Sequence, residues 1–161
     1  MTVIDTTKDV DALTVTLTAR FDAPPERVWQ VWEDPRLLER WWGPPTYPAT
    51  VLEHDLSPGG RVHYLMTGPG GDQHHGWWRV HEVAAPERLV FEDGFADENG
   101  TPTEDGLVTR AEVALRAEQG GTVMTVTSTF PSAEVMEQMS AMGMIEGITE
   151  AMNQIDGLLA A

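Results

Sequence analysis

The stretch that decides the fold is the last one, Pro131-Ser-Ala-Glu-Val-Met-Glu-Gln-Met-Ser-Ala-Met-Gly-Met-Ile-Glu-Gly-Ile-Thr-Glu-Ala-Met-Asn-Gln-Ile-Asp-Gly-Leu-Leu159. Its apolar residues Val135, Met139, Met142, Ile145, Ile148, Met152, Ile155 and Leu159 recur every three or four positions, the period of one helix face. Ser132 stands at the N-cap position, and Glu134 follows in the first turn, where the helix dipole favours an acid. The pattern predicts one long amphipathic helix from Ser132 to about Leu159. Such a helix needs an apolar surface to lie on. It carries Met136, Met139, Met142, Met144 and Met152, side chains that fill irregular gaps and accept varied shapes. Gly143 and Gly147 each weaken it by roughly 1 kcal/mol relative to alanine. That loss is tolerable where the helix approaches a sheet closely or bends over a cavity.

The residues before it supply the surface. Leu13, Val15, Leu17, Ala19 and Phe21 alternate with Thr14, Thr16, Thr18 and Arg20, the pattern of a half-buried strand. Ala23-Pro24-Pro25 ends that strand and opens a short helix through Val28, Trp29, Val31 and Trp32; Asp34-Pro35 opens a second, through Leu37 and Leu38 to Trp41 and Trp42. Six further strands are predicted at 51–56, 61–66, 76–83, 89–95, 108–115 and 122–130, separated by Gly- and Pro-rich turns. The polar loop Asp97–Gly106 is the longest irregular stretch. Antiparallel neighbours with short connections point to one continuous sheet rather than parallel crossover units. The expected class is therefore α+β, a single domain over 1–161 with its core at about 10–160.

Composition narrows the chemistry. The chain of 161 residues holds 26 acidic and 10 basic residues, a formal charge of −16, and its nine arginines and Lys8 are scattered. Phosphate-backbone recognition and attraction to an anionic membrane both need clustered cations, so neither nucleic acid nor a membrane is an expected partner. No cysteine is present, which removes disulfides, thiolate catalysis and cysteine-held zinc or iron–sulfur sites. Met1–Val10 has no basic segment followed by an apolar one, and no apolar run approaches the ~18 residues of a membrane span. The expected location is the cytoplasm.

Several local stretches carry a family resemblance: Phe21-Asp22-Ala23-Pro24 with Val28-Trp29, Leu38-Glu39-Arg40-Trp41-Trp42-Gly43-Pro44, Asp55-Leu56-Ser57-Pro58-Gly59-Gly60-Arg61, the strand from Gly76 to Glu82, and Pro86-Glu87-Arg88-Leu89-Val90-Phe91. Together with the order of elements, they resemble the SRPBCC superfamily, the helix-grip fold of START lipid-transfer domains and birch-pollen-allergen-like proteins. The match is closest to its branch named after the activator of the Hsp90 ATPase, and it extends from about Leu13 to Leu159. The resemblance implies a curved antiparallel sheet of about six to seven strands wrapped around the long C-terminal helix, with two short helices after the first strand. Members of the superfamily include ligand carriers, cyclases and co-chaperone-like domains, so the fold alone does not assign an activity.

The resemblance implies a cavity between sheet and helix, and alternation says which residues face it. His54 shares a face with Leu52 and Leu56, Tyr64 with Val62 and Met66, and Asp93 with Leu89, Phe91 and Phe95. Trp77 and Trp78 are adjacent on a strand and diverge, Trp78 taking the interior face with Val80. Trp41 and Trp42 precede a Gly-Pro-Pro break at the expected mouth, whereas Trp29 and Trp32 read as core. The candidate ligand-binding set is Trp41, Trp42, His54, Tyr64, Trp78, Phe91, Asp93, Met139 and Met142. The leading expectation is binding or carriage of a small hydrophobic molecule. Alternatives are a cyclase- or hydrolase-like enzyme using His54, Tyr64 or Asp93 as acid–base groups, and an interaction domain resembling chaperone activators. No residue is assigned a catalytic role, and no cofactor is expected. Gly68-Pro69-Gly70-Gly71 lacks the lysine and helix of a phosphate loop, and no serine sits in a nucleophile elbow. His74-His75 with His81-Glu82 make a weak metal motif, so no metal ligand is assigned. A homodimer is compatible with the sequence.

Overall fold

Side-chain alternation sets the sheet. In the computed structural model, which describes residues 3–160, the strand Thr14–Phe21 (β2) buries Val15, Leu17, Ala19 and Phe21 and leaves the residues between half exposed. The other strands are β1 (Val3–Asp9), β3 (Ala49–His54), β4 (Arg61–Thr67), β5 (Gln73–Ala84), β6 (Arg88–Ala96), β7 (Thr109–Glu118) and β8 (Gly121–Thr129). All are antiparallel in one curved, unclosed sheet of order β1-β2-β8-β7-β6-β5-β4-β3. From β3 to β8 each strand pairs with the next, as the meander predicts. β2 pairs with β8 instead, because α1 (Pro25–Glu33) and α2 (Pro35–Leu38) carry the chain across to the far edge.

Sequence reading predicts about six to seven strands; the sheet has eight. The additional one, β1, pairs with β2 at the sheet edge. Its residues Asp5–Asp9 are exposed, so it carries no apolar alternation and is held chiefly by backbone pairing. The predicted span of 1–161 reaches, at Met1, Thr2 and Ala161, outside the described residues.

The C-terminal helix is interrupted twice, giving α3 (Ala133–Ala141), α4 (Met144–Met152) and α5 (Ile155–Leu159). Ser132 caps α3 as expected, its Oγ accepting from the Val135 amide at 3.2 Å. The first interruption is at Gly143, whose φ of +86° is a left-handed conformation that glycine adopts at little cost. At the second, the Gln154 side-chain amide donates to the Gly43 carbonyl at 2.8 Å and so fastens the helix to the end of the α2 region.

An aromatic cluster fills the core beside β5 and β6. Trp32 of α1, fully buried, meets Trp41 edge-on with centroids 4.7 Å apart, and Trp78 stacks on Phe91 at 3.9 Å. Trp42 lies edge-on to Trp78 at 4.8 Å. Each such aromatic pair adds about 0.5–1.5 kcal/mol beyond burial of area. Trp41 donates its indole N–H to the Val31 carbonyl at 2.9 Å. Leu17, Met124, Met152 and Ile155 fill the remainder of this layer.

Candidate ligand cavity

Packing loosens toward the first interruption of the helix. A cavity of about 300 Å³ lies there, walled by Tyr64 and Met66 of β4, Asp93 and Phe95 of β6, Thr109 of β7, Trp42 and Pro44, and Met139, Met142, Gly143, Met144, Gly147 and Ile148 of the helix. The helix turns from solid contact to half-buried cover over this stretch: Met139, Met144 and Ile148 are partly exposed and Met142 is 57% exposed at the rim. The volume lies at the lower end of the range of small-molecule sites, and the walls have the expected apolar character with few polar groups.

Two of those polar groups touch. Tyr64 Oη donates to Asp93 Oδ1 at 2.8 Å, although β5 separates their strands. The crossing is possible because Gly76 sits opposite Tyr64 on β5. A Cβ there would run into the phenol ring, so glycine leaves the bare backbone over which the ring lies. Asp93 is half-buried at the cavity wall; desolvation pushes its carboxyl up to about 7, against smaller opposing effects of the Tyr64 hydroxyl and the Gly94 amide. Burial, then the charge of Asp93, raises the Tyr64 hydroxyl well above its ordinary value. The buried Trp42 ring lies edge-on to Tyr64 at 5.8 Å.

Of the nine residues proposed from sequence, Trp42, Tyr64, Asp93, Met139 and Met142 line the cavity. Trp41, Trp78 and Phe91 form the buried aromatic layer beside it. His54 is elsewhere: its Nε2 lies 3.1 Å from the Trp32 carbonyl. The shared inward face expected for Leu52 and His54 does not form, because a bulge between Val51 and Glu53 shifts the register, and Leu52 is 52% exposed. The acid–base trio His54, Tyr64 and Asp93 therefore reduces to the pair Tyr64–Asp93. Asp93 lies half-buried on the cavity wall, and β6 continues past it through Ala96.

Sequence reading left out Met66, Phe95, Thr109, Ile148 and Gly76. The first four follow from the same alternation and helix period; the signal for Gly76 was a glycine inside a strand opposite a tyrosine. A second polar pair lies at His63 and His75, with Nε2 to Nδ1 at 2.9 Å. Burial, then the neighbouring His75, lowers the His63 imidazole. His74 pairs with Asp72 and His81 with Glu92. Among the described residues no three His, Cys, Asp or Glu side chains gather as a metal site would require. No helix among them is long and apolar enough to cross a membrane.

The comparisons agree with this architecture. Residues 22–160 match the family model described as Activator of Hsp90 ATPase homolog 1-like protein. No curated protein matches. A solution structure of an Arthrobacter aurescens protein is 51% identical, with a TM-score of 0.95 and coverage of 99% of this chain and 92% of that one. A crystal structure of a Mycobacterium smegmatis protein is 49% identical, with a TM-score of 0.90 and coverage of 98% and 96%. The fold is shared more distantly with an Activator of Hsp90 ATPase homolog 1-like protein from Aeromonas hydrophila, at 22% identity, a TM-score of 0.69 and coverage of 90% and 93%. The chain belongs to the Activator of Hsp90 ATPase homolog 1-like family, within the SRPBCC superfamily.

Proposed function

We propose that this protein binds or carries a small, largely apolar molecule in the cavity between the sheet and α3–α4, acting in the cytoplasm. The observation that supports this reading most is a cavity of about 300 Å³ whose largely apolar walls carry the hydrogen-bonded Tyr64–Asp93 pair. A core selected for stability alone tends to fill a space of that size, since voids forfeit dispersion contacts. Methionines and glycines over the opening supply a cover that adjusts to shape at low cost.

The test is titration with the neutral fluorophore N-phenylnaphthylamine, whose emission rises in apolar surroundings. Saturable uptake that n-octanol displaces is the expected result. Absence of any saturable signal contradicts the reading.

A catalytic reading draws support from the same pair, because a carboxyl pushed up to about 7 beside a phenol is suited to proton transfer near neutral pH. It predicts a co-purified compound whose mass changes on incubation with the protein, followed by native mass spectrometry. The chaperone-activator reading draws less. The exposed large apolar residues Val10, Leu52 and Met142 stand on three separate parts of the fold: the β1–β2 turn, β3 at the opposite edge, and the α3–α4 junction.

A further inference from the structure

Asp93 is a carboxyl at the wall of an apolar cavity, and among the described residues it has no cationic partner. Its contacts are the Tyr64 hydroxyl and the Gly94 amide. The cavity walls carry no lysine, arginine or histidine: β4 contributes Tyr64 and Met66, β6 Phe95, β7 Thr109, and the helix only methionines, glycines and Ile148. Among the described residues Tyr64 is thus the one other titratable group in the lining, and the acidic residues of the covering helices, Glu137, Glu146 and Glu150, are exposed and outside it. An unpaired buried carboxylate is costly, and a cation brought by a ligand removes that cost directly. The rest of the wall suits a cation as well. It holds the aromatic rings of Trp42, Tyr64 and Phe95, whose faces attract cations, and methionine sulfurs, which are polarizable. The formal charge of −16 favours the approach of a cation over that of an anion.

We propose that the molecule this cavity takes is a hydrophobic amine, its ammonium group paired with the Asp93 carboxylate beside Tyr64 and its apolar body against Trp42, Phe95 and the methionines. This specifies the ligand class of the binding role proposed above and rests on it. Binding of the amine requires ionised Asp93, whose carboxyl desolvation pushes up to about 7. Affinity therefore rises as pH is raised through neutrality, while the alkylamine stays cationic.

The experiment compares n-octylamine, n-octanol and n-octanoate, one chain length with three head groups, as displacers of N-phenylnaphthylamine from the wild type and from Asp93→Asn. The expected result at about pH 8 is that octylamine binds at least about tenfold more tightly than octanol and octanoate binds more weakly than either, as charge-assisted pairing predicts. The preference for amine shrinks toward about pH 6 as Asp93 takes up a proton. In Asp93→Asn, octanol still displaces the probe and the preference for amine falls to within about threefold, less than one charge-assisted bond supplies. Octanol or octanoate binding as tightly as octylamine, or a preference that survives in Asp93→Asn, overturns the amine assignment and leaves the cavity reading standing. Failure of the wild type to bind the fluorophore or any of the three compounds overturns both.

Discussion

The C-terminal helix meets the sheet in two different ways. From Ala151 to Leu158 its inward residues Ala151, Met152, Ile155 and Leu158 are buried in the filled core, where the helix meets β2 and α1. From Met139 to Ile148 its inward residues are only half buried, over a cavity. Both halves carry methionine, and both follow the same apolar period. They differ in what lies opposite them: the filled core beside α1 and β2 in one case, and Tyr64, Met66, Phe95 and Thr109 around a space in the other. The packed half holds the helix in place, which frees the other half from having to fill its volume.

Truncations at matched methionines are the strongest way to break that contrast. Met152→Ala is expected to cost about 2–5 kcal/mol, the range for a fully buried side chain whose removal leaves a cavity. Met142→Ala, at a 57% exposed position, is expected to stay within about 0.5 kcal/mol. Denaturant unfolding measures both, and equal losses at the two sites would remove the distinction.

The pH dependence of stability sharpens the account of the cavity wall. The folded-state value for Asp93, about 7, lies above its ordinary 3.8. Over that interval the native state holds a proton that the unfolded chain has released, so stability falls as pH rises from about 4 to about 7 and then levels. The full difference corresponds to no more than about 4 kcal/mol. Asp93→Asn, which keeps an acceptor for Tyr64 without the charge, is expected to flatten this slope and to be more stable than wild type at about pH 8. An unchanged slope in thermal or denaturant unfolding across that range contradicts the placement of Asp93.

Two glycines four residues apart provide smaller effects of opposite sign. Gly143→Ala places a side chain at a φ of +86° and is expected to lose about 1–2 kcal/mol. Gly147 is helical, and a Cβ there meets nothing within 4 Å. Gly147→Leu is expected to gain up to about 1 kcal/mol from helix propensity while filling the cavity, so that stability rises and fluorophore uptake is lost. Loss of stability without loss of uptake would indicate that the space beside Gly147 is not where the molecule sits.

Much of this was legible before any coordinates. The alternation from Leu13 to Phe21 and the turn signals between the later strands state which residues face the core, because a pleated strand repeats every two residues. The tryptophans of α1 were readable as core for the comparable reason that they recur with the helix period. Other features depend on what lies opposite in space. β1 is a polar edge strand whose only signature is its pairing with β2. The β3 bulge inverts the facing of Leu52 through a register shift that periodicity alone does not encode. Gly143 was recognised as a weak point in the helix, but its left-handed conformation, and with it the end of α3, is set by how the chain docks on the sheet. Asp93 was readable as sharing the face of Leu89, Phe91 and Phe95; its contact with Tyr64 was not, since the ring reaches it across β5 at Gly76.

The most direct test uses the methionines themselves as reporters. Carbon-labelled methionine methyls, followed by NMR during titration with n-octylamine and then n-octanol, sample both halves of the helix and the sheet beneath in one spectrum. The account predicts saturable shifts at Met66, Met139, Met142 and Met144, which line the cavity, with Met124 and Met152, wholly buried in the packed layer, unmoved. Shifts spread evenly over all these methyls, or centred on Met124 and Met152, would contradict it.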